Sequence, residues 1–173
     1  MITRIRGAHT KFAVKSEKQI HVGQLQPAAT TPSVESAPER LTQMTILLAV
    51  NGTLMRGLEL NGNLLAAGAS FVREARTAPV YRLWSIGDKH PAMVRVAKGG
   101  AAIAVEVWSV PAAGLASILQ QEPPGLCVGK IALDDGSGVL GVLGEPILCE
   151  GQREITAHGG WRAYLTARAM TSR

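Results

Sequence analysis

Four short stretches of the sequence hold residue types that could do chemistry. The first is Asn51-Gly52-Thr53-Leu54, which directly follows the apolar run Thr-Ile-Leu-Leu-Ala-Val and precedes Arg56-Gly57. A glycine in such a bend lets successive backbone N–H groups converge on a small anion, and Asn or Thr can add a side-chain bond. The same composition also makes an ordinary turn. The second is Tyr81-Arg82, where a guanidinium could pair with a carboxylate and a phenol could donate or accept. The alternative is that Arg82 faces solvent while Tyr81 packs in the core. The third is Glu106, which interrupts an apolar strand. Buried, it would need a partner or a raised pKa and would be an acid or base candidate. Exposure on the polar side of a half-wet strand is the favoured expectation. The fourth is His158, in Glu154-Ile155-Thr156-Ala157-His158-Gly159-Gly160-Trp161, where a glycine-rich approach meets the start of a helix and a neutral imidazole would be available as a base.

Other chemistries find no support. The bend lacks the Lys-Ser or Lys-Thr of a P-loop and the three-glycine spacing of a dinucleotide site, and no cofactor is expected. No second His, Cys or carboxylate stands at metal-ligand spacing from His158, so no metal is expected either. Ser85, Ser109 and Ser117 lack the surroundings of an activated nucleophile. Cys127 and Cys149 are not a close pair and read as buried free thiols of a cytoplasmic protein. The net charge of +5 is split into +3 over residues 1–43 and +2 over the remainder, and basic residues are not interleaved with aromatics. Nucleic-acid binding is therefore not expected. No apolar run approaches a membrane span of about 20 residues, and the first residues lack a secretory pattern, so no membrane partner is expected and the cytoplasm is the expected compartment.

The elements that must position these residues begin near Thr45. Residues 1–43 read as a polar extension, with coil over 22–43 and a short, weakly alternating strand within 9–22 that could contact a partner. Residues 44–173 read as one domain. The apolar run at 45–50 predicts a buried strand, 57–69 a short broken helix or ordered loop, and 79–86, 92–97 and 101–110 three further strands. In the last of these, Ile103, Val105 and Val107 would share one face, and Glu106 and Trp108 the other. Pro111 opens a helical stretch that Pro123-Pro124-Gly125 stops. Asp134-Asp135-Gly136-Ser137-Gly138 predicts a hairpin between 126–133 and 139–143, and a final helix starts near Gly160. Strands outnumber helices, and short turns imply a mixed α+β fold: a small, mainly antiparallel, barrel-like sheet with flanking helices.

Taken in order, AVNGTLMRGLELN, FVREARTAPVYRL, VRVAKGGAAIAVEVWSVP and EITAHGGWRAYL make residues 46–167 resemble the C-terminal domain of allophanate hydrolase, within the gamma-glutamyl cyclotransferase-like superfamily. The resemblance implies a small mixed barrel whose cavity is bounded by the Asn51–Leu54 bend. It implies a role in urea and allophanate breakdown, where an amidase domain releases ammonia and the C-terminal domain promotes decarboxylation of N-carboxycarbamate. His158 lies in the region where a catalytic histidine is implied for that step, with Glu106 a further acid or base candidate and Asn51, Gly52, Thr53, Leu54, Tyr81 and Arg82 as substrate-binding residues. The superfamily's acid–base glutamate would fall near Ala101 or Ala102, neither of which transfers a proton, so cyclotransferase activity ranks lower. Nothing here resembles the amidase domain. The expected partners are a small carboxylate or carbamate-like molecule, and a second copy of the chain or a separate amidase subunit. The competing expectation is a non-catalytic module that binds a metabolite or assembles with that amidase.

Overall fold

The apolar run after Met44 forms strand β1 (Thr45–Val50) in the computed structural model, which describes residues 44–171. It is followed by β2 (Ser70–Arg76), β3 (Tyr81–Ile86), β4 (His90–Arg95), β5 (Ala104–Pro111), β6 (Leu126–Ala132), β7 (Gly138–Gly144) and the two-residue β8 (Arg153–Glu154). Three helices, α1 (Asn61–Ala66), α2 (Ala112–Leu119) and α3 (Trp161–Thr171), complete the described elements together with two short 3-10 turns. One sheet has the order β2-β5-β1-β7-β6 and the other β4-β3-β8.

β1 is central because it is apolar almost throughout. It pairs antiparallel with β5, from Thr45 opposite Pro111 to Val50 opposite Glu106, and parallel with β7 at Leu48 and Ala49. Every other strand pairing is antiparallel. Strands covered on both faces carry near-continuous apolar runs rather than alternation. This corrects one expectation: Glu106 and Trp108 do not lie on a wet face of β5, since both are buried along with Val105 and Val107. Arg56 from past the β1 bend, Arg162 from α3 and Phe71 from β2 cover what strand alternation alone assigned to solvent. Leu48, Val50, Leu64, Ile103, Trp108 and Trp161 belong to the common core.

The mixed α+β architecture, antiparallel-dominant with flanking helices, is the one expected. The strands missed by sequence are the two-residue β8 and β2, Ser-Phe-Val-Arg-Glu-Ala-Arg, which is exposed along most of its length and, among the described residues, paired only with β5. An edge strand with water on both sides leaves no period-2 record. The two thiols are free, but Cys127 is exposed on the edge strand β6 and only Cys149 is buried, where burial pushes its thiol up. The strand expected within 9–22 and the coil over 22–43 lie outside the described residues.

A carboxylate buried in the middle of a sheet requires donors, and Glu106 has four. The Arg56 N–H donates to its Oε2 at 2.9 Å and Trp108 Nε1–H at 3.3 Å, while Arg56 Nε and an Arg162 terminal nitrogen reach Oε1 at 3.2 and 3.0 Å. The two arginines are about half exposed, at 42% and 49%, which moderates the attraction, but the carboxylate itself is 4% exposed. Truncation strands the Arg56 N–H and the buried Trp108 indole and leaves two half-exposed guanidiniums without their buried charge partner. Glu106→Ala is therefore expected to lower unfolding stability by about 3 kcal/mol, read as a shift of the urea midpoint at unchanged slope; a loss below about 0.5 kcal/mol would show that the donors re-solvate freely.

Candidate functional site

Immediately after β1 the chain folds into a bend whose carbonyls are occupied. Gly52 O accepts the Met55 N–H at 2.9 Å, Thr53 O the Leu60 N–H at 3.0 Å, and Leu54 O the Asn61 side-chain amide at 2.9 Å. Asn51 turns inward, its amide donating to Val142 O at 3.0 Å and approaching the Met93 sulfur at 3.5 Å. The donors are a different matter. Among the described residues, the N–H groups of Gly52, Thr53 and Leu54 have no acceptor. Three successive free amides in a largely buried bend form a place for an oxyanion. Glycine is required at the first of them by a close approach: a Cβ on Gly52 would stand 2.7 Å from both Cγ and Cδ of Pro91.

The bend borders a cavity of about 440 Å³ and an adjoining recess of about 20 Å³, which share Thr53, Leu54, His90, Glu122 and Leu126. Leu60, Ile118 and Pro123 give the larger space an apolar wall. Glu122 enters it from the turn after α2, and burial raises its carboxyl above the ordinary glutamate range. The β3–β4 turn supplies Asp88 and Lys89, and the first residue of β4 supplies His90. Asp88 has a left-handed backbone, φ 58°, and its carboxylate accepts from Tyr164 and, at 2.7 Å, from Ser85. Those two hydrogen bonds hold its pKa below the ordinary value and fasten the turn to α3.

The other expected site residues are elsewhere. Glu106 and His158 line a second, larger cavity of about 800 Å³ that has no lining residue in common with the first. His158 is exposed, in the 3-10 turn before α3, with its ring edge-on to Tyr164 at 5.3 Å. Tyr81 is fully buried, its hydroxyl accepting from Arg95 at 2.7 Å and from the Ala132 N–H at 3.0 Å. Arg82 donates to Gly99 O at 2.9 Å and pairs with Glu154 at 3.6 Å. The structure thus gathers Asn51, Gly52, Thr53 and Leu54 in one place, Glu106 and His158 in another, and Tyr81 and Arg82 in neither. Among the described residues no three His, Cys, Asp or Glu side chains cluster to hold a metal, and no helix is long and apolar enough to cross a membrane.

The family model for the allophanate hydrolase C-terminal domain matches residues 46–166, most of the described chain. The chain belongs to this family. A crystallised uropathogenic E. coli-specific protein is 61% identical, with 71% of this chain and 97% of that one aligned and a TM-score of 0.70. Kluyveromyces lactis allophanate hydrolase is 27% identical over 77% of this chain, with a TM-score of 0.68, and only 22% of that chain is covered. Saccharomyces cerevisiae urea amidolyase is 28% identical over 148 residues, 78% of this chain. This chain spans less than a tenth of the length of the curated urea amidolyases it matches. The fold is that of the gamma-glutamyl cyclotransferase-like superfamily, as the bend motif implied.

Sequence reasoning missed Glu122. The glutamate sought near Ala101 or Ala102 is not at the bend: Ala101 sits in an isolated bridge with Tyr81, and the carboxylate bordering the bend comes from the end of α2. The available signal was a carboxylate placed directly before Pro123-Pro124, where a helix has to stop.

Gly52→Ala is expected to cost about 1–3 kcal/mol, because Pro91 belongs to a paired strand and cannot yield without moving the bend; a melting curve superimposable on the parent's would show that the bend gives freely. A second expectation follows from Glu122. Its folded pKa lies above its unfolded value, so the carboxylic acid form contributes stability below the ordinary value of 4.5 that is lost as pH rises through the folded pKa. Glu122→Gln should therefore be more stable than the parent once the pH is above the folded pKa, with the difference vanishing below pH 4.5; a melting-temperature difference between variant and parent that does not change with pH would contradict it.

Proposed function

We propose that the domain binds a small dicarboxylate-type anion at the Gly52–Leu54 bend and, as part of urea and allophanate breakdown, decarboxylates N-carboxycarbamate with Glu122 as the proton donor. The observation that carries this reading is the sharing of one cavity by three unpaired backbone donors and a carboxyl group whose pKa burial has raised. Membership of the family supports the choice of substrate class; the donors and the acid support the chemistry.

In the proposed step the bend's amides hold the carboxylate that remains. The bond between nitrogen and the other carboxyl carbon breaks, its electron pair stays on nitrogen, and carbon dioxide leaves. The Glu122 proton goes to that nitrogen, giving carbamate, and solvent restores the acid. Two terms lower the barrier. A carboxylate lying against Leu60, Ile118 and Leu126 is poorly solvated, whereas neutral carbon dioxide is not penalised there. A protonated Glu122 meets the developing charge on nitrogen, a contribution of about 10²–10⁴ in rate. Proton transfer is thus assigned to Glu122 rather than to His158 or Glu106, which line the other cavity.

A second reading rests on the E. coli relative, whose crystallised chain is almost wholly aligned with this domain. In that reading the domain is a stand-alone module that receives its ligand from a separately made amidase, with residues 1–43 as the attachment. Loss of co-purification with such an amidase on deleting residues 1–43 would favour it.

The test of the main reading is consumption of freshly generated N-carboxycarbamate, followed as released carbon dioxide. Glu122→Gln is expected to slow it at least about 100-fold while still binding malonate, in which a methylene replaces the nitrogen. Parent-like turnover by Glu122→Gln would remove the acid from the mechanism.

A further inference from the structure

The 800 Å³ cavity plays no part in the proposed reaction, yet it is rich in unused donors. It is bordered by the end of β2, the start of β5 and the first turn of α3. Gly159 N–H donates to Thr156 O at 2.9 Å and Tyr164 N–H to Gly160 O at 3.1 Å. Between them, the N–H groups of Gly160, Trp161, Arg162 and Ala163 have no acceptor among the described residues, as the first turn of a helix leaves them. No acidic side chain lies in that turn to offset the positive end of the helix. All four residues line the cavity.

A separate observation points the same way. Trp161, which lines the cavity, is 1% exposed, and among the described residues its indole N–H has no hydrogen-bond partner, the kind of orphan that a site leaves when its acceptor comes with a ligand. The charges around the cavity are also unevenly spent. Glu106 is held by Arg56 and Arg162, Glu74 by Arg56 at 2.8 Å, and Arg73 is taken by Asp135 at 2.8 Å. Arg76 donates to the Ala102 carbonyl at 2.6 Å but has no carboxylate partner among the described residues. Its terminal nitrogen lies 3.5 Å from where a Cβ on Gly159 would stand, beside the entry to α3. Of the cavity's carboxylates, Asp134 alone has no cationic partner among the described residues, and it would oppose an anion.

We propose that this cavity is a second binding site, for a small molecule bearing a carboxylate or phosphate group, with the oxyanion against the first turn of α3 and the Arg76 guanidinium. An uncapped helix start and a fork-shaped cation together favour such a group, and Arg76 can engage two of its oxygens at once. The space exceeds a bare oxyanion, so the ligand carries an apolar body against Met55, Ala75 and Val105. His158, at the rim, supplies a further ring nitrogen.

The test is a pair of titrations of the full ¹⁵N-labelled chain at constant ionic strength, one with inorganic phosphate and one with malonate, followed by NMR. Saturable shifts of the Trp161 indole N–H and the Gly160–Ala163 amides are expected with at least one anion, and which anion saturates separates phosphate-bearing from carboxylate-bearing ligands. Arg76→Gln should weaken that binding at least 10-fold, Arg76→Lys by less, and Asp134→Asn should tighten it. Shifts that never saturate, or equal affinity in the parent and both Arg76 variants, would mean an adventitious ion only and would overturn the proposal. The Gly52–Leu54 amides report the first site in the same spectra, so either site can fail without the other.

Discussion

Burying a carboxylate within a sheet is tolerable only if donors reach it, and Glu106 draws three of its four from distant parts of the chain. The Arg56 backbone and guanidinium come from just past the β1 bend, Arg162 from the first turn of α3, and Trp108 from β5 itself. One acidic group on β5 thus fixes where the bend ends and where the last helix begins. Arg162 also donates to the Arg56 carbonyl at 2.8 Å, closing the link between the two. Much of what the domain can bind depends on those two chain segments, because the free backbone donors of both cavities lie within a few residues of them.

The bend itself is held by packing as much as by hydrogen bonds. Asn51 ties it to β7 and β4, Pro91 occupies the space a side chain at Gly52 would need, and the carbonyls of residues 52–54 are all accepted for. Fixing the carbonyls of Gly52 and Thr53 also fixes the peptide planes that carry the Thr53 and Leu54 N–H groups, which leaves those donors available at no further entropic cost; in that sense the site is preorganised. Glu122 is positioned by the opposite device: α2 ends, two prolines follow, and the carboxyl is left half-buried beside the bend. A rigid donor set and a reluctant carboxylate are complementary partners for a dianion that must take up a proton.

Much of this was legible in the sequence, for identifiable reasons. The apolar run at 45–50, the hairpin at 134–138 and the proline-started helix at 112–119 are local signals, and each formed as expected. The tight bend after β1 was readable because it depends on a glycine. Membership of the family was readable from several motifs in order. What failed was non-local. Glu106 looked exposed because alternation along β5 says nothing of what covers its second face. For Tyr81 and Arg82 the sequence left a joint clamp and a core-and-solvent split both open; neighbours on a strand point to opposite faces, and Tyr81 went to the core and Arg82 toward solvent. Glu122 was passed over because its importance arises only when the end of α2 is brought against a bend far earlier in the chain.

The central claim is that the Gly52–Leu54 amides hold an anion across from Glu122. A crystal structure of the domain with malonate tests it most directly. The account predicts one carboxylate with oxygens about 2.7–3.2 Å from those backbone nitrogens and the other end directed toward the Glu122 carboxyl. Malonate bound solely at the start of α3, or a bend whose amides turn away from an empty cavity at saturating malonate, would contradict it.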